Sequence, residues 1–175
     1  MNKIGLFYAP AKGNTAKIAE IIASKIGNDK IDLILIDENT SIDKLNNYDN
    51  LIFGISTVGK DNWDNDYVKV GWDFLFPKIE DMDFSNKSVA IFGLGNHVLY
   101  PNHFVDAMGQ LGNKIIENSG NLIGYCNKSD YEFTDSEAID GDKFIGLPID
   151  QDTEEELTEK RINDWLENIK SKMGF

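Results

Sequence analysis

Cysteine is nearly absent: Cys126 stands alone in 175 residues. No internal disulfide is available, so a reducing, cytoplasmic setting is the expectation, and Cys126 reads as a half-buried, inert thiol. Histidine is almost as scarce. His97 and His103 are the only two, and without other ligand types around them they do not argue a metal site. No apolar run approaches the roughly 20 residues needed to span a bilayer. The first residues show neither an export h-region nor a cleavage site, so no membrane or export segment is expected. Positive charge is also short, with 17 Lys+Arg against 30 Asp+Glu and a formal net charge of −13. Such a chain repels nucleic acid and anionic lipid, stays dissolved, and is steered toward basic partners. Repeats, low-complexity tracts and linkers are missing as well. The expectation is one domain over residues 1–175, long enough for a substantial core.

What is present is alternation. Residues 4–8 make a short apolar run that breaks at Pro10. From Thr15 an amphipathic pattern sets Ile18, Ile21, Ile22 and Ile26 on one helix face. Thr15 or Asn14 is the expected N-cap, and Gly27-Asn28 the expected stop. A strand, a tight loop and a helix start form an anion site, because free N–H groups and the helix dipole point into the loop. Many such units bind nothing, so this segment alone decides little.

Further strands are expected at residues 31–36, 51–55, 88–93 and 121–125, with strand character resuming at residues 144–147 after an excursion over residues 127–142. Short helical character is expected near residues 42–45. A helix carrying Val68, Trp72 and Leu75 should stop near Pro77, one carrying Phe104, Ala107, Met108 and Leu111 follows, and another runs from about Thr153 with Leu157, Ile162, Trp165, Leu166 and Ile169 inward. This pattern predicts a parallel sheet covered on both faces. Ligands in such sheets sit beyond the carboxyl ends of the strands. The loops over residues 9–14, 56–66 and 93–102 should converge there. They bring a helix start, Trp63 and Tyr100, which suits a flat aromatic ligand with a phosphate tail.

Several stretches carry a resemblance. Gly13-Asn-Thr15, Ile91-Phe-Gly-Leu-Gly-Asn-His97, Tyr100, Phe104-Val-Asp-Ala-Met-Gly109, Tyr131-Glu-Phe133 and Arg161-Ile-Asn-Asp-Trp165 make the chain similar to the long-chain flavodoxins. The resemblance spans nearly the whole chain. It implies a three-layer α/β fold with a five-stranded parallel sheet in order 2-1-3-4-5, the fifth strand interrupted by an insertion. Flavodoxin is also the standard illustration of that order, with its flavin at the switch point. It implies a low-potential electron carrier, a monomer and not an enzyme, shuttling single electrons on noncovalently bound flavin mononucleotide (FMN). Its partners would be a basic flavin- or iron–sulfur-containing reductase and an acceptor, bound transiently. The alternatives are a flavin-dependent NAD(P)H/quinone reductase of the same fold, or a non-redox binding module that has lost FMN.

The same resemblance implies the site residues. Pro10, Ala11, Lys12, Gly13, Asn14 and Thr15 would surround the phosphate. Ser56, Thr57, Val58, Gly59 and Trp63 would lie on one side of the flavin ring, with Gly59 offering a peptide that turns toward the one-electron-reduced ring. Gly93, Leu94, Gly95 and Asn96 would edge the other side, where Tyr100 stacks. Asn102, His103 and Phe104 follow along the rim, and Asp152 matches a position near the flavin. The phosphate loop departs from the family pattern. Pro10-Ala-Lys-Gly-Asn-Thr15 lacks two hydroxyl donors and, at Pro10, an N–H. Lys12 is the added group, either a point charge for the phosphate or a solvated loop lysine. Trp63 is likewise either the second stacking ring or a packing anchor.

Overall fold

The computed structural model describes residues 3–57 and 71–175. Runs of apolar side chains with no polar interruption become the buried strands β1 (Ile4–Tyr8), β3 (Asn50–Ser56) and β4 (Ser88–Leu94). With β2 (Ile31–Leu35) and β5 (Asn121–Ile123) they form a parallel sheet in the order β2-β1-β3-β4-β5. Side chains alternate across it. Leu6, Ile52 and Phe92 face one core; Phe7, Phe53 and Ile91 face the other. Helices α1 (Asn14–Ile26) and, at the C-terminus, α5 (Glu155–Met173) cover the first face. Helices α2 (Ile42–Asn46), α3 (Trp72–Ile79) and α4 (Asp106–Glu117) cover the second. The arrangement is the expected three layers.

The fifth strand is split. β5 pairs Ser88, Val89 and Ala90 of β4, and the chain then leaves the sheet after Ile123. A small antiparallel sheet follows, β6 (Cys126–Asn127), β7 (Ile139–Asp140) and β8 (Lys143–Phe144) in the order β6-β8-β7. Strand β9 (Leu147–Ile149) then returns to β4 at Phe92, Gly93 and Leu94. The strand character expected at residues 144–147 thus divides. Phe144 belongs to the insertion, and only from Leu147 does the chain rejoin the main sheet. Phe104, Tyr131, Phe133 and Phe144 cluster their rings at 5.0–6.3 Å, and the Arg161 guanidinium of α5 lies 4.2 Å from the centre of the Tyr131 ring. These contacts fasten the insertion to the body.

Helix α3 runs past the expected stop. Pro77 lies inside it, and the helix ends at Ile79. Leu75 and Ile79, one turn apart, are both fully buried. Their packing offsets the hydrogen bond that Pro77 forfeits. No helix among the described residues is long and apolar enough to cross a membrane.

Helix α4 meets the insertion at Gly109, where a Cβ would lie 2.4 Å from the carbonyl carbon and oxygen of Glu137. Backbone cannot yield as a side-chain tip can. Gly109→Ala is therefore expected to destabilise the fold by about 1–3 kcal/mol, read as a lower urea midpoint; an unchanged midpoint would show that the insertion floats on α4.

Candidate functional site

Parallel strands deliver their outgoing loops to one edge of the sheet. There the loops after β1, β3, β4 and β9 are stitched together by backbone hydrogen bonds. The N–H groups of Ala9, Thr57 and Gly95 donate to the carbonyls of Gly54, Leu94 and Ile149 at 3.3, 3.0 and 3.0 Å.

The first loop passes through a cis Ala9–Pro10 peptide, and Pro10, Ala11, Lys12 and Gly13 are all exposed. Gly13 takes φ +87° and is the N-cap residue. The expected caps Asn14 and Thr15 are instead the first two helical residues, because the positive φ at Gly13 turns the chain into the helix before them. No side-chain cap bond forms among the described residues, and the first turn of α1 carries no acidic residue. The leading N–H groups of α1 have no intrahelical acceptor. Among the described residues, a Cβ at Gly13 would meet nothing within 4 Å, which leaves room beside those donors. This donor set fits a phosphate. Thr15 is buried beneath the loop, 2% exposed. Asn14 turns its amide away, donating from Nδ2 to Asp152 Oδ1 at 3.0 Å.

In the second loop Ser56 is the half-buried last residue of β3. The Thr57 hydroxyl accepts the Ala107 N–H at 3.1 Å, which ties this loop to the start of α4. Val58, Gly59 and Trp63 lie outside the described residues. The chain is described again from Gly71, and Trp72 donates its indole N–H to the Gly54 carbonyl at 2.8 Å.

In the third loop Gly93 and Leu94 are buried strand residues and contribute backbone only. Asn96 Oδ1 accepts the N–H groups of Val98 and Leu99 at 3.1 and 2.8 Å, and the Asn96 carbonyl accepts Tyr100 N–H at 3.0 Å. This turn leaves the Tyr100 side chain partly open, at 39% exposure of the residue. Asn102 and His103 are exposed, with His103 Nδ1 2.9 Å from Asp106 Oδ2. Phe104 is not on the rim. It is 1% exposed and sits in the aromatic cluster, forming floor rather than lining. Val105 follows with φ +51°, a conformation that costs a β-branched residue about 1–3 kcal/mol. Complete burial of its side chain holds it there.

The fourth loop centres on Asp150, which the sequence reading passed over. It is wholly buried. Its Oδ2 accepts the Thr153 hydroxyl at 2.6 Å and the His97 N–H at 2.9 Å, and lies 2.7 Å from His97 Nδ1. Its Oδ1 accepts the N–H groups of Asp152 and Thr153 at 3.2 and 3.0 Å. Burial alone would raise this carboxyl. The hydrogen bonds from Thr153 and His97 outweigh it and hold Asp150 below its usual value. The available signal was Asp150-x-x-Thr153 just ahead of a helical run, an Asx-turn pattern. By contrast, burial pushes the Cys126 thiol up to about 12, so it is protonated and unreactive at neutral pH. Among the described residues no group of three or more His, Cys, Asp or Glu side chains is placed to hold a metal ion.

Comparison with known proteins agrees with this geometry. Residues 6–165 match the family model described as Flavodoxin. The chain is 38% identical over 173 residues to a flavodoxin of Nostoc sp., covering 99% of this chain and 98% of that protein. It is 37% identical over 170 residues to a flavodoxin of Buchnera aphidicola, covering 97% and 96%. A Fusobacterium nucleatum flavodoxin bound to flavin mononucleotide superposes with TM-score 0.84 at 26% identity, over 98% of this chain and 99% of that one. A lysine-to-glycine variant of it, also bound to flavin mononucleotide, superposes equally well.

Proposed function

The chain belongs to the flavodoxin family, and on that premise we propose that it carries single electrons on noncovalently bound FMN between a reductase and an acceptor. Proteins of this family are electron carriers and not enzymes in their own right. The observation that carries the cofactor assignment is the pairing of the Gly13 helix start, whose first turn holds no acidic residue, with a partly exposed Tyr100 on the same sheet edge. The FMN bound by the Fusobacterium nucleatum relative supports the same reading.

Bound in this cradle, FMN supplies the one-electron redox chemistry. The chain binds and orients it. The N–H groups of Gly13, Asn14 and Thr15, with the Lys12 ammonium, would hold the phosphate; Tyr100 would cover one ring face. Thr57 and Asn96 brace the walls with side-chain oxygens that accept backbone N–H groups, and the Thr57 O–H and Asn96 Nδ2 are the donors proposed to face the flavin. Val58, Gly59 and Trp63 remain the proposed residues of the opposite face, and Asn102, His103 and Asp152 of the rim.

Helices antiparallel to the strands point their N-termini at the site edge. Their first turns carry Asp73, Asp106, Glu155 and Glu156, and their last turns carry Lys25, Lys78, Lys114, Lys170 and Lys172. The acidic first turns of α3, α4 and α5 complement their helix dipoles and add negative charge at the site edge. An acidic surround disfavours added negative charge on the cofactor and lowers its potential. It also orients the monomer, by its site edge, toward basic flavin- or iron–sulfur-containing partners that bind transiently. We place this single-domain carrier in the cytoplasm.

Protein purified in its native state is expected to be yellow, and acid extraction should release one FMN per chain. Colourless protein that neither yields nor binds FMN would overturn the assignment in favour of a binding module without flavin. Steady turnover of NAD(P)H with a quinone by the purified protein alone would instead favour the quinone reductase.

A further inference from the structure

Among the groups at the site edge, His97 does something that the flavin reading above does not require. Its backbone N–H and its ring Nδ1 both address one oxygen, Oδ2 of the buried Asp150, at 2.9 and 2.7 Å. The ring is itself largely enclosed, its side chain 14% exposed. It packs edge-on against Phe104 with centroids 6.1 Å apart. On one side of His97, Asn96 folds the turn that presents Tyr100. On the other, Asp150 fixes the N–H of Asp152, whose carboxylate receives the Asn14 amide at the start of α1. A short chain of hydrogen bonds therefore joins the aromatic loop to the phosphate loop, and His97 is its central link.

We propose, resting on the flavin reading, that His97 is a positioning residue that holds the turn presenting Tyr100 in its ring-binding place by binding Asp150 through both its backbone and its ring. To donate to the carboxylate, the ring carries its proton on Nδ1, which also fixes its orientation. With the Gly95 N–H on the Ile149 carbonyl already tying the two loops, the ring bond adds a further tether at His97, so less ordering remains to be done when a ligand enters. The lock acts on the ring end of the ligand and not on its phosphate.

The test compares His97→Ala with His97→Asn. In asparagine, Nδ2 is attached to Cγ as Nδ1 is in histidine, so the bond to Asp150 survives while the packing on Phe104 does not. Dissociation constants for FMN and riboflavin are measured by quenching of flavin fluorescence. Amide exchange at Val98 and Leu99 is measured on protein stripped of flavin. In His97→Ala both flavins should bind about tenfold more weakly, with their affinity ratio unchanged, and both amides should exchange faster. His97→Asn should recover most of both losses. Unchanged affinities in His97→Ala, or a His97→Asn no better than alanine, overturn the proposal, the latter by making packing the cause. If wild-type protein binds neither flavin, the flavin reading falls. The exchange arm then still decides the lock, and unchanged protection at Val98 and Leu99 overturns it.

Discussion

Lys12→Ala is expected to weaken FMN binding by about ten- to a hundredfold while riboflavin binding stays within about twofold of wild type, one charge-assisted hydrogen bond being worth about 1.5–3 kcal/mol. The loop from Pro10 to Gly13 is exposed, carries no hydroxyl side chain, and at Pro10 offers no N–H. The helix dipole and the leading amides of α1 remain, but they hold a dianion less well alone than with hydroxyl partners. Asp152 makes the deficit worse, since its carboxylate is held by Asn14 beside the same loop. Lys12 is the cation of this loop and the proposed compensating charge. One turn later Lys17 is engaged by Glu155 at 3.2 Å, whereas among the described residues no carboxylate pairs with Lys12. The wild-type FMN affinity should fall with added salt, as expected for a pair formed by an exposed lysine. Fluorescence titrations with both flavins at two ionic strengths check the set. Equal losses for both ligands, or none, would make Lys12 a solvated bystander.

Much of this architecture was legible because apolar runs and glycines have local causes. The runs at residues 4–8, 51–55 and 88–93 could only be buried strands, and the loops after them had to share one edge. What escaped was decided by tertiary contact. Gly13 displaced Asn14 and Thr15 as cap through a backbone angle that no side-chain pattern encodes. Pro77 was overridden by the burial of Leu75 and Ile79, and Phe144 was drawn from the main sheet by aromatic partners at residues 104, 131 and 133. The site read the same way. Tyr100 stood out as the aromatic of the third loop and Gly13 through the resemblance, whereas Phe104 went to the core. Asp150 and His97, separated by 53 residues, have no local signature of their partnership. A buried carboxylate collecting donors from two loops becomes visible only when the fold is known.

That carboxylate supports the second large effect. Asp150→Ala should destabilise the flavin-free protein by about 2–4 kcal/mol at pH 7, because it removes a wholly buried acceptor from several part-buried donors at once. The His97 ring, the Thr153 hydroxyl and the N–H groups of His97, Asp152 and Thr153 all lose their acceptor. The turn that leads from β9 into α5 loses its anchor with them. The loss should depend on pH in a defined direction. The folded carboxyl titrates below its ordinary value of 3.8, so its charged form stabilises the fold fully above that value. This contribution disappears as pH falls through the lowered folded value. Wild type should therefore exceed Asp150→Ala by most at pH 7 and by progressively less as the pH drops below about 4. Urea unfolding followed by circular dichroism, at pH 7 and at the lowest pH where both proteins fold, measures the two margins. A margin independent of pH would mean that the Asp150 charge contributes nothing, and that only the shape of its side chain holds the two loops together.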